Sequence, residues 1–253
     1  MVSLPDIQAA LHRLYIAVPD ASLRDEDYKK AAELEGLLLE IERIVRATSH
    51  RVPLRMVDAA AGKAYVGLLA AELILARSSR RGRVTLIERD GRRAAACRQA
   101  MAGLRAAGVE IEIRECDVAE PSAWPRAPDL VVALHACGPA ADVVAERAVA
   151  GRARHLLLVP CCTSKGVAAA RLAAERAQAM GVPRQAEVRR RFIQAMVDSA
   201  RTLRLEAAGY ETTVVAFVPP TVTPHNLLWR AQRVGEPRRM AAAAAALSRL
   251  FGP

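Results

Sequence analysis

Three acidic residues occupy equivalent places in the chain. Asp58, Glu88 and Asp117 each stand at or just beyond the end of a short apolar run. Glu88 is placed to accept hydrogen bonds from a ribose diol, and Asp117 from an adenine amino group. Asp58 is followed by the small-residue turn Ala59, Ala60, Ala61, Gly62. Such a turn lets a ligand approach the backbone, and the helix that it opens offers free N–H groups. One acid at a strand end is often only a turn or cap residue; three in succession are specific. A second group is basic or nucleophilic. His135 and Cys137 follow one apolar run, Cys161 and Cys162 follow the next, and His225 enters the last. Neighbouring strands would bring them within roughly 5 to 10 Å of each other. Thiolate attack, general-base catalysis by His135, a zinc-like ligand set completed by His225, and buried packing cysteines all compete for these residues. We read His135, Cys137, Cys161 and Cys162 as catalytic and assign no metal, because the spacing is not that of a known zinc motif.

The elements that must position these residues alternate. Residues 28–47 place Leu34, Leu37, Leu38, Ile41 and Ile44 at helical spacing. From residue 54 the periodicity predicts strands over 54–58, 83–88, 109–115, 129–134 and 154–160, with helices over 64–76, 91–107 and 140–149 between them. This order implies an α/β fold, a doubly wound, Rossmann-like and mostly parallel sheet, because parallel strands need helical crossovers. The strands 210–218 and 226–232 are joined by too few residues for a crossover and must be antiparallel. We therefore expect a helical cap over residues 1–51 and a catalytic domain over 52–253, closed by a terminal hairpin. Neither a GxGxxG fingerprint nor a GxxxxGK[ST] phosphate loop is present, which favours a cofactor without a pyrophosphate.

Composition bounds the partners. The 253 residues are 52% hydrophobic and only 4% aromatic, and their formal net charge is +10. No apolar run is long enough to span a membrane, since Glu72 interrupts the best candidate, 64–76. With no basic-then-apolar start, we expect a soluble cytoplasmic protein. Five cysteines, an odd count, suggest free thiols. Arginine outnumbers lysine 33 to 4 and alanine makes up about a fifth of the chain, a bias that a GC-rich genome alone could supply. Position is therefore more informative than number. Arg77, Arg80, Arg81 and Arg83 lie on a helix-to-strand connection and read as a solvated face. Arg184, Arg189, Arg190 and Arg191 open the long helix 187–208, beside an extra segment, 163–185, expected over the mouth of the site. We expect Arg184, Arg189, Arg190, His225 and Asn226 to contact substrate. A positive rim favours a polyanion such as RNA, although few aromatics beyond Trp124, Tyr210 and Trp229 are available for base stacking.

Over residues 25–233 the chain resembles class I S-adenosylmethionine-dependent methyltransferases, in particular a subgroup often regarded as RNA-directed. The residues that carry the likeness are Asp58 with Gly62-Lys63-Ala64-Tyr65, Leu134-His135-Ala136-Cys137, Pro160-Cys161-Cys162 and Thr223-Pro224-His225-Asn226. Ala60 and Ala64 stand where that subgroup has glycines, and the methyl of Ala60 is expected to crowd the methionine end of the cofactor. The resemblance implies that Asp58, Ala59, Ala60, Ala61, Gly62 and Tyr65 hold the amino-acid part of S-adenosyl-L-methionine. It implies that Glu88 holds the ribose, Asp117 and Val118 the adenine, and that Leu134 adjoins them. RNA cytosine-5 methyltransferases use a thiolate that adds to C6 of the pyrimidine, but the motifs around their cysteines differ from those here. The expected activity is methyl transfer to RNA (tRNA or rRNA). The alternatives are a small-molecule or protein acceptor, or a binding protein without catalysis.

Overall fold

The computed structural model describes residues 1–16, 22–161 and 166–251. Seven strands form one sheet: β1 (Leu54–Ala59), β2 (Gly82–Ile87), β3 (Val109–Arg114), β4 (Leu130–Ala136), β5 (His155–Pro160), β6 (Tyr210–Ala216) and β7 (Leu227–Arg233). Their order is β3-β2-β1-β4-β5-β7-β6. β7 runs antiparallel to both β5 and β6, and the other pairings are parallel. The strand order reverses between β1 and β4, and the crevice at such a switch point is where ligands bind in open α/β sheets.

Both faces of the sheet are covered, which is why its central strands read as continuous apolar runs. Side chains alternate across the sheet. Leu54, Met56, Val84, Leu86, Leu130, Val132, Leu157 and Val159 enter one core. They meet there α1 (Leu4–Leu11), α2 (Asp25–Ala47), α3 (Tyr65–Ala70) and α4 (Gly91–Ala102). Val57, Ala59, Ile87, Val131, Ala133, Leu156 and Leu158 enter the opposite core, covered by α5 (Pro139–Ala150) and part of α7 (Ala186–Ala207). A third, smaller core joins α6 (Ala168–Ala179), α7 and α8 (Pro237–Phe251). The helix expected over 64–76 is α3 continued by a π turn, Ala71–Ala76, and the one expected over 91–107 ends at Ala102, where Gly103 follows. Among the described residues no helix is long and apolar enough to cross a membrane.

The expected solvated face holds for Arg77, Arg81 and Arg83, which are exposed, and fails at Arg80. Arg80 is buried, and its guanidinium donates to the carbonyls of Val45, Thr48 and Ser49 at 2.6, 3.0 and 2.8 Å. The last carbonyls of a helix have no partner within it; here an arginine from the next layer supplies one. Arg77 makes a two-pronged pair with Asp6 of α1, both bonds 2.9 Å. Arg83 pairs with Glu110 across β2 and β3. The cluster fastens the N-terminal helices and the sheet edge.

Candidate active site at the switch point

β1 ends in Asp58 and Ala59, and the chain turns through residues 60–64 into α3. That turn takes left-handed backbone at Ala60 (φ 54°), Gly62 (φ 61°) and Ala64 (φ 59°). Glycine accepts this conformation freely, whereas alanine there costs about 1 kcal/mol. The two alanines that replace glycines thus sit at strained positions. The turn is anchored from β2. Ala61 N–H donates to Ile87 O at 3.0 Å, and Gly62 N–H donates to Glu88 Oε2 at 2.6 Å. The other oxygen of Glu88 accepts Asp90 N–H at 2.9 Å, so one buried carboxylate ties the first strand-end turn to the second. Cys97 of α4 donates to Gly62 O from below, at 3.3 Å.

Asp58 is 2% exposed and accepts Gly67 N–H at 2.8 Å. Gly67 permits that approach, because a Cβ there would lie 2.3 Å from Leu86 and 3.1 Å from Asp58 Oδ2. Burial pushes the Asp58 carboxyl up to about 7, the Gly67 hydrogen bond opposes the shift, and the charge of Glu88 adds to it. A buried carboxyl poised in this way gains most from a cation placed beside it. Asp58 lines a cavity of about 300 Å³ together with Lys30, Ala60, Ala61, Gly62, Lys63, Tyr65, Val66, Arg93, Leu134 and His135. At Gly62 an added Cβ would meet, among the described residues and beyond its chain neighbours, no atom within 4 Å.

The other candidate residues are placed unequally. Ala59 is buried in the second core and takes its place in β1, not in the cavity lining. Asp117 is partly exposed; it accepts Ala119 N–H at 2.9 Å and Arg89 at 3.3 Å, and the Ala119 bond holds its carboxyl below the usual range. Val118 is buried, and its carbonyl accepts Trp124 Nε1–H at 2.8 Å.

His135 is the best-tethered residue of the site. Its backbone is left-handed (φ 59°), and the β4–β5 register shifts between Leu134 and Ala136. A bulge of this kind re-aims a side chain. The ring meets Glu33 of α2, Nε2 to Oε1 2.5 Å, and Lys30 Nζ holds the other oxygen of Glu33, also at 2.5 Å. Glu33 is 4% exposed. Burial pushes its carboxyl up, but hydrogen bonds from His135 and Lys30 outweigh burial and leave it below the usual range. Cys161 donates to the carbonyl of His135 at 3.6 Å, and the rings of His135 and His225 stand 6.3 Å apart, edge to face. Cys137 is exposed, and Cys162 lies outside the described residues. Cys97, Cys116 and Cys137 are free thiols, and among the described residues no group of three or more His, Cys, Asp or Glu could hold a metal ion.

Beyond His225 opens a second cavity of about 690 Å³, lined by Cys161, Arg190, Arg191, Gln194, Asp198, His225 and Asn226, with Trp229 among its walls. Asn226 also clamps the hairpin, donating from Nδ2 to Val218 O at 2.8 Å. Arg189 turns away and donates to Ala174 O of α6 at 3.0 Å, while Arg184 is exposed before α7 and lines neither cavity. Two of the aromatics considered for stacking are buried and hydrogen-bonded within the fold. Trp229 and Tyr210 are buried, with Trp229 bonded to Thr202 and Tyr210 to the carbonyls of Ala148 and Ala153. Sequence reasoning missed Lys30, Lys63, Arg93 and, above all, Glu33. The signal for Glu33 was there: a glutamate next to Leu34 on the apolar stripe of a helix, a position where an unpaired carboxylate is costly.

The sheet order, the terminal antiparallel hairpin and a site at the reversal point define the class I methyltransferase fold. A family model described as a methyltransferase domain matches residues 29–168, and the chain belongs to that family. No curated protein matches the sequence. Among solved structures, the fold is similar to magnesium protoporphyrin IX methyltransferase from Synechocystis PCC 6803. In its form with bound SAH the identity is 13% and the TM-score 0.52, over 89% of this chain and 93% of that one. The form with bound SAM gives 12% and 0.51, over 89% and 90%. A citrinin polyketide synthase CMeT domain is similar at 12% identity and a TM-score of 0.51, over 90% of this chain and 60% of that one.

Proposed function

We propose that this enzyme transfers a methyl group from S-adenosylmethionine to RNA. The observation that carries the cofactor is the donor set of the smaller cavity. A buried carboxyl, Asp58, shares it with the cations Lys30, Lys63 and Arg93, a set that suits an amino acid carrying both an ammonium and a carboxylate. Asp58 and the turn 60–62 would hold that part, Glu88 the ribose, and Asp117 with Val118 the adenine. The cofactor supplies a methyl group on a positively charged sulfur. The chain's own residues set the turn, keep Asp58 out of water and present His135 to the smaller cavity, 6.3 Å from the ring of His225 on the larger one. The helices before residue 52 act as a cap that contributes Lys30 and Glu33.

Support for RNA comes from Arg190 and Arg191 on the larger cavity and from the net charge of +10, since phosphate contacts draw on arginine. Burial of Trp229 and Tyr210 favours a second reading, a small-molecule acceptor, because base-stacking platforms are then few. Calorimetry with S-adenosylmethionine tests the cofactor: wild type should bind, and Glu88→Ala should bind more weakly. Absent binding, or binding unchanged in the variant, would sink the assignment. Incubation with labelled cofactor and fractionated cellular RNA, protein and metabolites tests the acceptor. Label in RNA, lost steeply with added salt, supports the first reading, and label in metabolites the second. Binding with no label in any fraction would point to a protein without catalysis.

A further inference from the structure

We infer that His135 Nδ1 is the base that takes the proton of an O–H or N–H methyl acceptor, with Glu33 and Lys30 as its positioning residues. The inference rests on the methyltransferase reading and names the acceptor chemistry that this site is built for. An ionised carboxylate only accepts hydrogen bonds. Glu33, held ionised by two donors, therefore requires the hydrogen of neutral His135 to be on Nε2. The lone pair is left on Nδ1. That atom is buried and has no hydrogen-bond partner among the described residues, while its ring lines the smaller cavity. A buried polar atom without a partner is costly, as is the left-handed backbone that points it. The arrangement persists because α2, the bulge in β4 and Cys161 all fix it.

The groups that face His135 are Lys30 and Glu33 from α2, Cys161 after β5 and His225 from the hairpin. Among them, Glu33 alone meets its ring within hydrogen-bonding distance. In the transfer step the acceptor's oxygen or nitrogen bonds to the methyl carbon, and the carbon–sulfur bond breaks with its electron pair left on sulfur. The acceptor's proton passes to Nδ1, leaving the methylated acceptor and an imidazolium paired with Glu33. Glu33 stabilises the imidazolium that forms, as the buried carboxylate of a catalytic triad does. A pyrimidine-carbon acceptor would instead need a thiolate nucleophile. Cys137 is exposed, and Cys161 spends its S–H on a carbonyl.

The test joins a spectroscopic readout on the protein alone to kinetics. Long-range nitrogen–proton NMR of imidazole-labelled protein should show His135 as the Nε2–H tautomer, and Glu33→Gln should shift it towards the other tautomer or a mixture. In assays with labelled S-adenosylmethionine and the cell fraction that accepts label, His135→Asn should lower kcat by about 10²- to 10⁴-fold, the usual range for a lost general base. Asparagine is chosen because it tolerates the left-handed backbone. Glu33→Gln should lower kcat by a smaller factor with KM unchanged, and Glu33→Asp should recover part of that loss. Melting curves matching wild type show that the variants fold. An Nδ1–H tautomer in wild type, or full turnover by folded Glu33→Gln and His135→Asn, overturns the inference and leaves the function reading standing. Failure of wild type to bind the cofactor overturns both.

Discussion

Helix α2 buries two carboxylates, and they are used in opposite ways. Towards its C-terminal end Glu42 accepts the backbone N–H of Val2 at 3.1 Å and Arg46 at 2.7 Å. A turn further on, Arg80 caps the carbonyls of Val45, Thr48 and Ser49. Towards the other end Glu33 holds His135, whose Nδ1 has no partner among the described residues and whose backbone is left-handed. Each end holds one buried nitrogen without a partner among the described residues, Arg80 Nε and His135 Nδ1. Only at His135 is the backbone also left-handed, strain of the kind that functional sites keep.

The contrast can be broken most forcefully at Arg80. Arg80→Ala leaves three carbonyls without their donor and should cost roughly 3 kcal/mol, on the scale of lost charged hydrogen bonds. Chemical denaturation measures it, and kcat per folded molecule should stay unchanged. A loss of kcat at full stability would erase the division of labour. Next comes Glu88→Ala, which frees the N–H groups of Gly62 and Asp90. Cofactor affinity should fall about tenfold or more, on the order of 1.5 kcal/mol, with little change in unfolding free energy beyond that. An intact affinity would move Glu88 to the structural side of the comparison.

Asp58 gives a pH signature. Its carboxyl is raised from 3.8 to about 7 in the folded protein, so between these values the folded state holds a proton that the unfolded chain releases. Stability from this group is therefore present below about pH 4 and lost as pH rises to about 7. Relative to wild type, Asp58→Asn should melt with a flatter pH dependence across that window. Parallel curves would show that Asp58 is not held protonated. The smallest effect belongs to the left-handed alanines. Ala60→Gly and Ala64→Gly should each raise stability by up to about 1 kcal/mol, relief of strain being offset in part by the extra freedom of glycine when unfolded. Destabilisation at either position would mean that its methyl packs usefully.

Much of the scaffold was legible because its signals are local. Alternating apolar runs and helices, the short connection before β7 and the acid after each of three strands report periodicity and turn chemistry that neighbouring residues decide. Helix ends were less legible, as at Ala102, because capping depends on a few residues. Arg80 was misread because charge in a sequence carries no address. Whether a guanidinium meets water or three carbonyls depends on an element that lies more than thirty residues away.

The sequence by itself determined the class of sheet, its antiparallel closure and a row of acids along one edge, since these follow from patterning within each segment. Only the tertiary structure decided which polar groups face one another. It put Glu33 against His135 across 102 residues, turned Arg189 away from the mouth and buried Trp229. Pairings of this kind are set by the packing of α2 on the sheet, where long-range contact decides whether a buried charge is a cost, a clamp or a catalytic support.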